Sequence, residues 1–126
     1  MKRFSFIAAL CVLPLLGFAG DAVKHVDAEK AAKLVAEGKV TVLDVRTAEE
    51  FSEGHIEGAK NVDIFAKDFE NQVAALDKKK PVLVHCQAGG RSMRSLPKLE
   101  KVGFPEIYHL DGGMGDWVKA GKPVVK

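Results

Sequence analysis

Long apolar runs and an excess of charge of one sign are both scarce in this chain of 126 residues. The longest apolar stretch, residues 4–18, is shorter than the roughly 20 residues that a membrane-spanning helix needs, and Pro14 interrupts it. The formal net charge of +2 equals that of Lys2 and Arg3, so the rest of the chain is near neutral and nothing indicates a nucleic-acid partner. The length predicts one domain.

The N-terminus has the three parts of a secretory signal peptide: a cationic start, the apolar stretch, and small residues after it. We expect residues 1–19 to be this signal peptide, with cleavage after Ala19 or, alternatively, after Ala22. Residues 20–126 would then form a single domain of an exported protein, periplasmic in a bacterium and free of the membrane after cleavage. An uncleaved N-terminal anchor is the alternative interpretation.

Cysteine is scarce as well, with one residue in the apolar stretch and one in the predicted domain. Cleavage would remove Cys11 and leave Cys86 alone, which excludes an internal disulfide in the exported domain. A lone cysteine can be a buried, inert side chain, but the residues around Cys86 favour a reactive thiol. His25 and His109 show no ligand-like spacing, so we expect no metal.

Apolar periodicity and capping residues predict strands and helices that alternate along the domain. The strands are predicted at 40–45, 59–62, 82–85 and 107–110, and the helices at 28–37, 48–53, 65–76, 92–102 and 114–120. Pro97 should bend or weaken the helix that contains it. The alternation predicts parallel β-α units in a three-layer α/β domain, whose ligand site lies beyond the carboxyl ends of the strands.

One segment combines features that suit a nucleophile. A predicted strand runs directly into a cysteine, two glycines follow, and an arginine opens a helix. The segment reads His85-Cys86-Gln87-Ala88-Gly89-Gly90-Arg91-Ser92. The glycines allow successive N–H groups to turn inward as a nest for an anion, and the helix start adds unpaired N–H groups. Because Arg91 adds a permanent charge, we predict that Cys86 is a nucleophile with a lowered pKa. His85 should point to the opposite face of the strand.

Three stretches of the chain resemble motifs of the rhodanese family of sulfurtransferases. The loop Cys86 to Arg91 is similar to the family's six-residue active-site loop. The other matching stretches are Val42-Leu43-Asp44-Val45-Arg46 with Gly54-His55-Ile56, and Leu110-Asp111-Gly112-Gly113-Met114 with Trp117. The resemblance covers roughly residues 26–125 and implies a rhodanese-like α/β/α domain with a five-stranded parallel sheet.

The resemblance implies that Cys86 is catalytic and carries sulfur as a persulfide, with no other cofactor. A donor such as thiosulfate would supply the sulfur, and cyanide, a small thiol or a partner protein's cysteine would accept it. The residues implied to bind the anionic donor are Gln87, Ala88, Gly89, Gly90, Arg91 and Ser92. The position after the cysteine is often basic in the family and is Gln87 here, which leaves the natural donor open.

Asp44 and Arg46 close the strand that is nearest to the loop in motif order. We expect them to brace the loop, or Arg46 to form an ion pair with Glu49 or Glu50.

Two other functions fit parts of the pattern. A persulfide carrier or thiol-presenting binding module would need the same loop but little turnover. Cysteine phosphatases and arsenate reductases share several of its residues, but the phosphatase loop has five residues between the cysteine and the arginine. This chain has four between Cys86 and Arg91, which suits a smaller anion.

Overall fold

The computed structural model describes residues 23–126, and the predicted signal peptide and its cleavage sites lie outside this range. Five parallel strands form one sheet in the order β1-β5-β4-β2-β3. The strands are β1 Val23–Val26, β2 Thr41–Asp44, β3 Lys60–Asn61, β4 Val82–His85 and β5 Ile107–Leu110. The helices are α1 Ala28–Ala36, α2 Ala48–Glu53, α3 Phe69–Ala74, α4 Gly90–Lys101 and α5 Gly113–Lys119.

Helices cover both faces of the sheet, which confirms the predicted three-layer arrangement. Because side chains alternate along a strand, Val42 and Leu83 pack with helices α1 and α5 on one face. Leu43 and Val84 pack with helices α3 and α4 on the other face. The central strand β4 is therefore buried on both sides, as expected for a parallel sheet.

Local capping starts two of the helices where the sequence predicts them. The Asp27 side chain accepts a hydrogen bond of 2.9 Å from the backbone N–H of Lys30 at the start of α1. Thr47 and Glu50 form a reciprocal capping box at the start of α2, with both backbone-to-side-chain contacts at 3.1 Å. These bonds satisfy N–H groups that the first turn of a helix leaves unpaired.

The structure differs from the sequence-based expectation in three elements. Strand β1 has no counterpart among the strands that the sequence pattern predicted; it is an edge strand of four residues, held by pairing with β5. Helix α3 is shorter than predicted because residues 66–68 form turns and Phe65 is 64% exposed. Helix α4 begins two residues early, at Gly90, and continues past Pro97.

Among residues 23–126, we find no helix that combines the length and the apolar character needed to cross a membrane.

Candidate active site

Cys86 lies where the sequence predicted the site, at the carboxyl end of the central strand β4. Its side chain is 1% exposed and faces the same core cluster as Val84. Helix α4 begins four residues later, at Gly90, so its N-terminal N–H groups point toward the thiol's end of the sheet. Cys86 is the single free cysteine among the described residues.

Hydrogen-bond donors converge on the sulfur of Cys86. The backbone N–H of Gly89 donates to Sγ at 3.0 Å, and the Ser92 hydroxyl lies 3.3 Å from Sγ. Burial raises the pKa of the thiol, but the Ser92 hydroxyl and the backbone N–H groups of Ser92, Gly89 and Ala88 more than offset it. The pKa of Cys86 is therefore held below its ordinary value, in the direction that the sequence predicted.

Arg91 does not hydrogen-bond to the sulfur. Its two terminal nitrogens donate to the two carboxylate oxygens of Glu50, at 2.7 and 3.0 Å. The expectation that Arg46 pairs with Glu49 or Glu50 was therefore wrong, because Arg91 holds Glu50. The pKa of Arg91 is raised mainly by the Glu50 carboxylate. The charge of the Cys86 thiolate raises the pKa of Arg91 by a smaller amount, so the guanidinium remains close to the sulfur.

Arg46 instead pairs with Asp44, two residues before it on the chain, in a buried ion pair. The Nη2 atom of Arg46 lies 2.7 Å from Asp44 Oδ2, and the two side chains are 4% and 0% exposed. Arg46 also donates to the Gly54 carbonyl at 2.8 Å and to Gln87 Oε1 at 3.3 Å. The contact with Gln87 connects this ion pair to the loop, and its bracing role stays a prediction. It also turns the Gln87 amide toward Arg46.

The backbone of the loop rests on the start of helix α5. The N–H groups of Met114 and Gly115 donate to the carbonyls of Cys86 and Gln87 at 2.9 and 3.0 Å. Gly113 permits this close approach: its φ is +61°, and an added Cβ would lie 2.6 Å from the same two carbonyl oxygens. The Asp111-Gly112-Gly113 turn therefore positions the start of α5 against the backbone of the Cys86 to Arg91 loop.

Gly113→Ala should consequently lower the free energy of unfolding by about 2–4 kcal/mol, since it adds a backbone clash to an unfavourable φ. Gly121→Ala is the matched control, with φ at +76° and no atom within 4 Å of the added Cβ. It should cost only about 1 kcal/mol. Urea unfolding measures both; equal losses would show that the loop tolerates the extra methyl group.

His85 contacts the backbone rather than the thiol. Its Nδ1 lies 2.9 Å from the Cys86 carbonyl oxygen, and its Nε2 lies 3.6 Å from Asp44 Oδ2. Burial lowers the pKa of His85, so the ring is neutral near pH 7. Its place at the opposite side of β4 from Cys86 confirms the predicted direction of the side chain, and the absence of a general-base role stays a prediction.

Comparison with known proteins decides the family. The family model described as "Rhodanese-like domain" matches residues 27–120 of this chain. The chain belongs to the rhodanese-like domain family.

The relatives of this rhodanese-like domain include named sulfurtransferases. Thiosulfate sulfurtransferase GlpE of Pseudomonas fluorescens is 37% identical over 95 residues, which cover 75% of this chain and 84% of that protein. The mitochondrial protein HIGH ARSENIC CONTENT 1 of Arabidopsis thaliana is 37% identical over 79% of this chain, but the chain spans only 64% of its length. The crystal structure of a rhodanese-related protein from Thermoplasma volcanium superposes with a TM-score of 0.72 at 28% identity, covering 81% and 97% of the two chains.

The sequence analysis missed a cluster of side chains beside the loop of this rhodanese-like domain. Asp111 Oδ1 lies 2.6 Å from His109 Nδ1 and 2.7 Å from His25 Nδ1, while His109 Nε2 lies 2.7 Å from Ser92 Oγ. The available signal was the pattern His109-x-Asp111 at the carboxyl end of a predicted strand, which is the end of the sheet where Cys86 was expected. The partner Ser92 lies 17 residues away and no local pattern points to it.

The same cluster bears on the prediction that no metal binds. His25 lies on β1, His109 lies on β5 and Asp111 follows β5 directly, and their ligand atoms lie within 4.8 Å of one another. Spacing along the sequence was therefore a poor guide to which residues meet. Both histidines already bind the same carboxylate oxygen, so the cluster is closed by its own hydrogen bonds. The absence of a metal stays a prediction.

The Glu50–Arg91 pair should stabilise the domain except in strong acid. The hydrogen bond from Arg91 lowers the pKa of Glu50 from 4.5 to about 2. Because the folded pKa is below the unfolded one, this stabilisation is complete above pH 4.5 and is lost as the pH falls toward 2. The side chains are 31% and 22% exposed, so solvent limits the effect to about 1–2 kcal/mol.

Glu50→Gln should therefore lower the unfolding free energy by that amount at pH 7, and the difference from the parent protein should shrink steadily below pH 4.5. Glu49→Gln, an exposed neighbour on α2, is the control and should change little at any pH. A Glu50→Gln loss that is independent of pH would mean that the lost charge is not responsible.

Proposed function

We propose that this protein is an exported sulfurtransferase that moves sulfane sulfur from a donor such as thiosulfate to a thiophilic acceptor through a persulfide on Cys86. The enzyme class follows from the rhodanese-like family and its thiosulfate sulfurtransferase relatives. The observation that carries the mechanism is the sulfur of Cys86, bound by the Gly89 N–H and facing the Ser92 hydroxyl at the start of α4. These donors favour a thiolate, the reactive form of cysteine.

In the first half-reaction, the Cys86 thiolate attacks the outer sulfur of thiosulfate. A new S–S bond forms to Cys86, the S–S bond of thiosulfate breaks, and its electron pair leaves with sulfite. The terminal persulfide sulfur carries the negative charge, so the N–H groups of the loop can stabilise it as they stabilise the thiolate. Arg91 supplies positive charge nearby, and Glu50 sets the position of that charge.

In the second half-reaction, an outside nucleophile takes the sulfur. Cyanide or a thiolate attacks the terminal sulfur, the persulfide S–S bond breaks, and its electron pair returns to Cys86. The described residues contain no second cysteine that could perform this attack. Cleavage of the signal peptide removes Cys11, so the acceptor in the exported protein is a separate molecule: cyanide, a small thiol, or a cysteine of a partner protein.

Steady-state kinetics with thiosulfate and cyanide test this proposal. We expect thiocyanate to form, with parallel lines in double-reciprocal plots when both substrates are varied, because the two half-reactions are separate. A protein that gains sulfur from thiosulfate without releasing thiocyanate would be a carrier instead. Hydrolysis of a phosphate ester that is lost in Cys86→Ser would contradict the proposal in favour of a phosphatase.

Export is the part of the proposal that depends on the N-terminal residues 1–19. A cationic start and an apolar stretch with small residues after it are typical of a cleaved secretory signal. Expression of the full chain in a bacterium should yield a periplasmic protein that begins after Ala19 or Ala22. Full-length protein in the cytoplasm would contradict export, and full-length protein in the membrane fraction would indicate an uncleaved anchor.

A further inference from the structure

An unbroken line of hydrogen-bond contacts connects the Cys86 sulfur with a solvent-exposed carboxylate. Cys86 Sγ lies 3.3 Å from Ser92 Oγ, which lies 2.7 Å from His109 Nε2. His109 Nδ1 lies 2.6 Å from Asp111 Oδ1, and His25 Nδ1 lies 2.7 Å from the same oxygen. Ser92 and His109 are 0% and 1% exposed, whereas the Asp111 side chain is 57% exposed.

The Ser92 hydroxyl has a single proton and three neighbours that can accept it. These are Cys86 Sγ at 3.3 Å, His109 Nε2 at 2.7 Å and the Gly89 carbonyl at 3.1 Å. The protonation state of His109 decides which neighbour accepts the Ser92 proton. A protonated Nε2 donates to the Ser92 oxygen, which leaves the Ser92 proton free to bind the sulfur.

Asp111 determines which nitrogen of His109 carries the proton. A carboxylate only accepts hydrogen bonds, so Nδ1 carries a proton and a neutral ring has a bare Nε2. Ser92 then donates to Nε2, and its oxygen can accept the proton of the Cys86 thiol. When His109 is doubly protonated, the direction reverses: Nε2 donates to Ser92, and Ser92 donates to the sulfur anion.

We propose that His109 and Asp111 form a proton relay with Ser92 that takes up the proton of the Cys86 thiol. The S–H bond breaks and its proton moves to Ser92 Oγ, while the proton of Ser92 moves to His109 Nε2. A thiol and a neutral imidazole thus become a thiolate and an imidazolium, with no net change in charge or proton number. His109 and Asp111 are positioning residues in this account, which rests on the proposed role of the Cys86 thiolate as nucleophile.

The charges around His109 suit this exchange. Burial lowers the pKa of His109 despite the opposing effect of Asp111, so the ring is neutral near pH 7 and its Nε2 carries no proton. Burial raises the pKa of Asp111, but hydrogen bonds from His25 and His109 offset it and keep the carboxylate ionised. On β4, His85 adds a neutral ring.

Arg91, paired with Glu50, is a further charged side chain that interacts with Cys86. Solvent reaches the outer end of the relay through a cavity of about 520 Å³ lined by His25, Gly89, Met93, His109 and Asp111.

Asp111→Asn tests the relay, because the relay and a simple through-space effect predict shifts of opposite sign in the pH midpoint of Cys86 alkylation. Through space, removing a negative charge stabilises the thiolate and lowers the pKa of Cys86. In the relay, the same change destabilises the imidazolium and raises the pH midpoint of Cys86 alkylation, by roughly one pH unit. The probe is iodoacetamide, with the alkylation rate measured from pH 4 to 10. A lower midpoint in Asp111→Asn overturns the relay.

Two further variants separate the relay from a structural effect. In a Ser92→Ala background, Asp111→Asn should no longer raise the midpoint, because the contact between His109 and the sulfur is already cut and only the through-space effect of the lost charge remains. Ser95→Ala removes another buried serine hydroxyl of α4, which donates to the Ser92 carbonyl, and should leave the midpoint unchanged. Asp111→Glu should restore most of the parent midpoint.

An equal shift with and without Ser92 would refute the relay. Alkylation needs no sulfur transfer, so this test is independent of the proposed function. The relay can fail while Cys86 still gains sulfur from thiosulfate. Conversely, the midpoint can shift as the relay predicts in a protein that gains no sulfur.

Discussion

Cys86→Ser should abolish thiocyanate formation, with a fall in kcat/KM of at least about 10³-fold. A hydroxyl at this position stays protonated at neutral pH, so the N–H of Gly89 and the Ser92 hydroxyl no longer stabilise an anion that can attack sulfur. The measurement is the initial rate of thiocyanate formation from thiosulfate and cyanide. The fold should survive, since serine fits the space of cysteine.

Ser95→Ala is the matched control for this loss of activity. Ser95 is buried on the same helix, one turn beyond Ser92, and its hydroxyl donates to the Ser92 carbonyl rather than to the sulfur. We expect its turnover to match that of the parent protein. Thiocyanate formation by Cys86→Ser at the parent rate would mean that a residue other than Cys86 carries the sulfur.

Arg46→Met should produce the largest loss of stability among the single substitutions considered, about 3–5 kcal/mol. The substitution leaves the Asp44 carboxylate fully buried without its guanidinium, and it removes the hydrogen bonds to the Gly54 carbonyl and to Gln87. The loss should appear as a lower midpoint in urea unfolding. Activity should fall as well, because Gln87 belongs to the catalytic loop.

Lys24→Met provides the contrast for this buried pair. Lys24 and Glu106 are 2.7 Å apart, as close as Arg46 and Asp44, but their side chains are 55% and 32% exposed. Because solvent screens this exposed pair, breaking it should lower the urea midpoint far less than Arg46→Met does. Similar losses in the two variants would contradict the view that burial, and not distance, determines what the Asp44–Arg46 pair contributes.

The features that the sequence predicted well depend on neighbours along the chain. The capping box of Thr47 and Glu50 and the apolar strand that ends at His85 are local patterns, and each forms where it was expected. The carboxyl-end position of Cys86 follows from the strand-loop-helix order alone. Local patterns did not predict strand β1, because β1 is stabilised by pairing with β5 rather than by a pattern of its own.

The features that the sequence did not predict join residues that are distant along the chain. Arg91 and Glu50 are 41 positions apart, and Glu50 has a nearer cation in sequence, Arg46, which pairs with Asp44 instead. The sheet order, which places β5 between β1 and β4, brings His25 and His109 together and sets His109 against Ser92. Local patterns carry no information on such contacts, since the topology of the whole sheet creates them.

The intact mass of the purified protein after incubation with thiosulfate tests the central claim most directly. We predict a gain of one sulfur atom that maps to Cys86, disappears on addition of cyanide, and does not occur in Cys86→Ser. An unchanged mass, with the Cys86 thiol still free to react with iodoacetamide, would contradict the account.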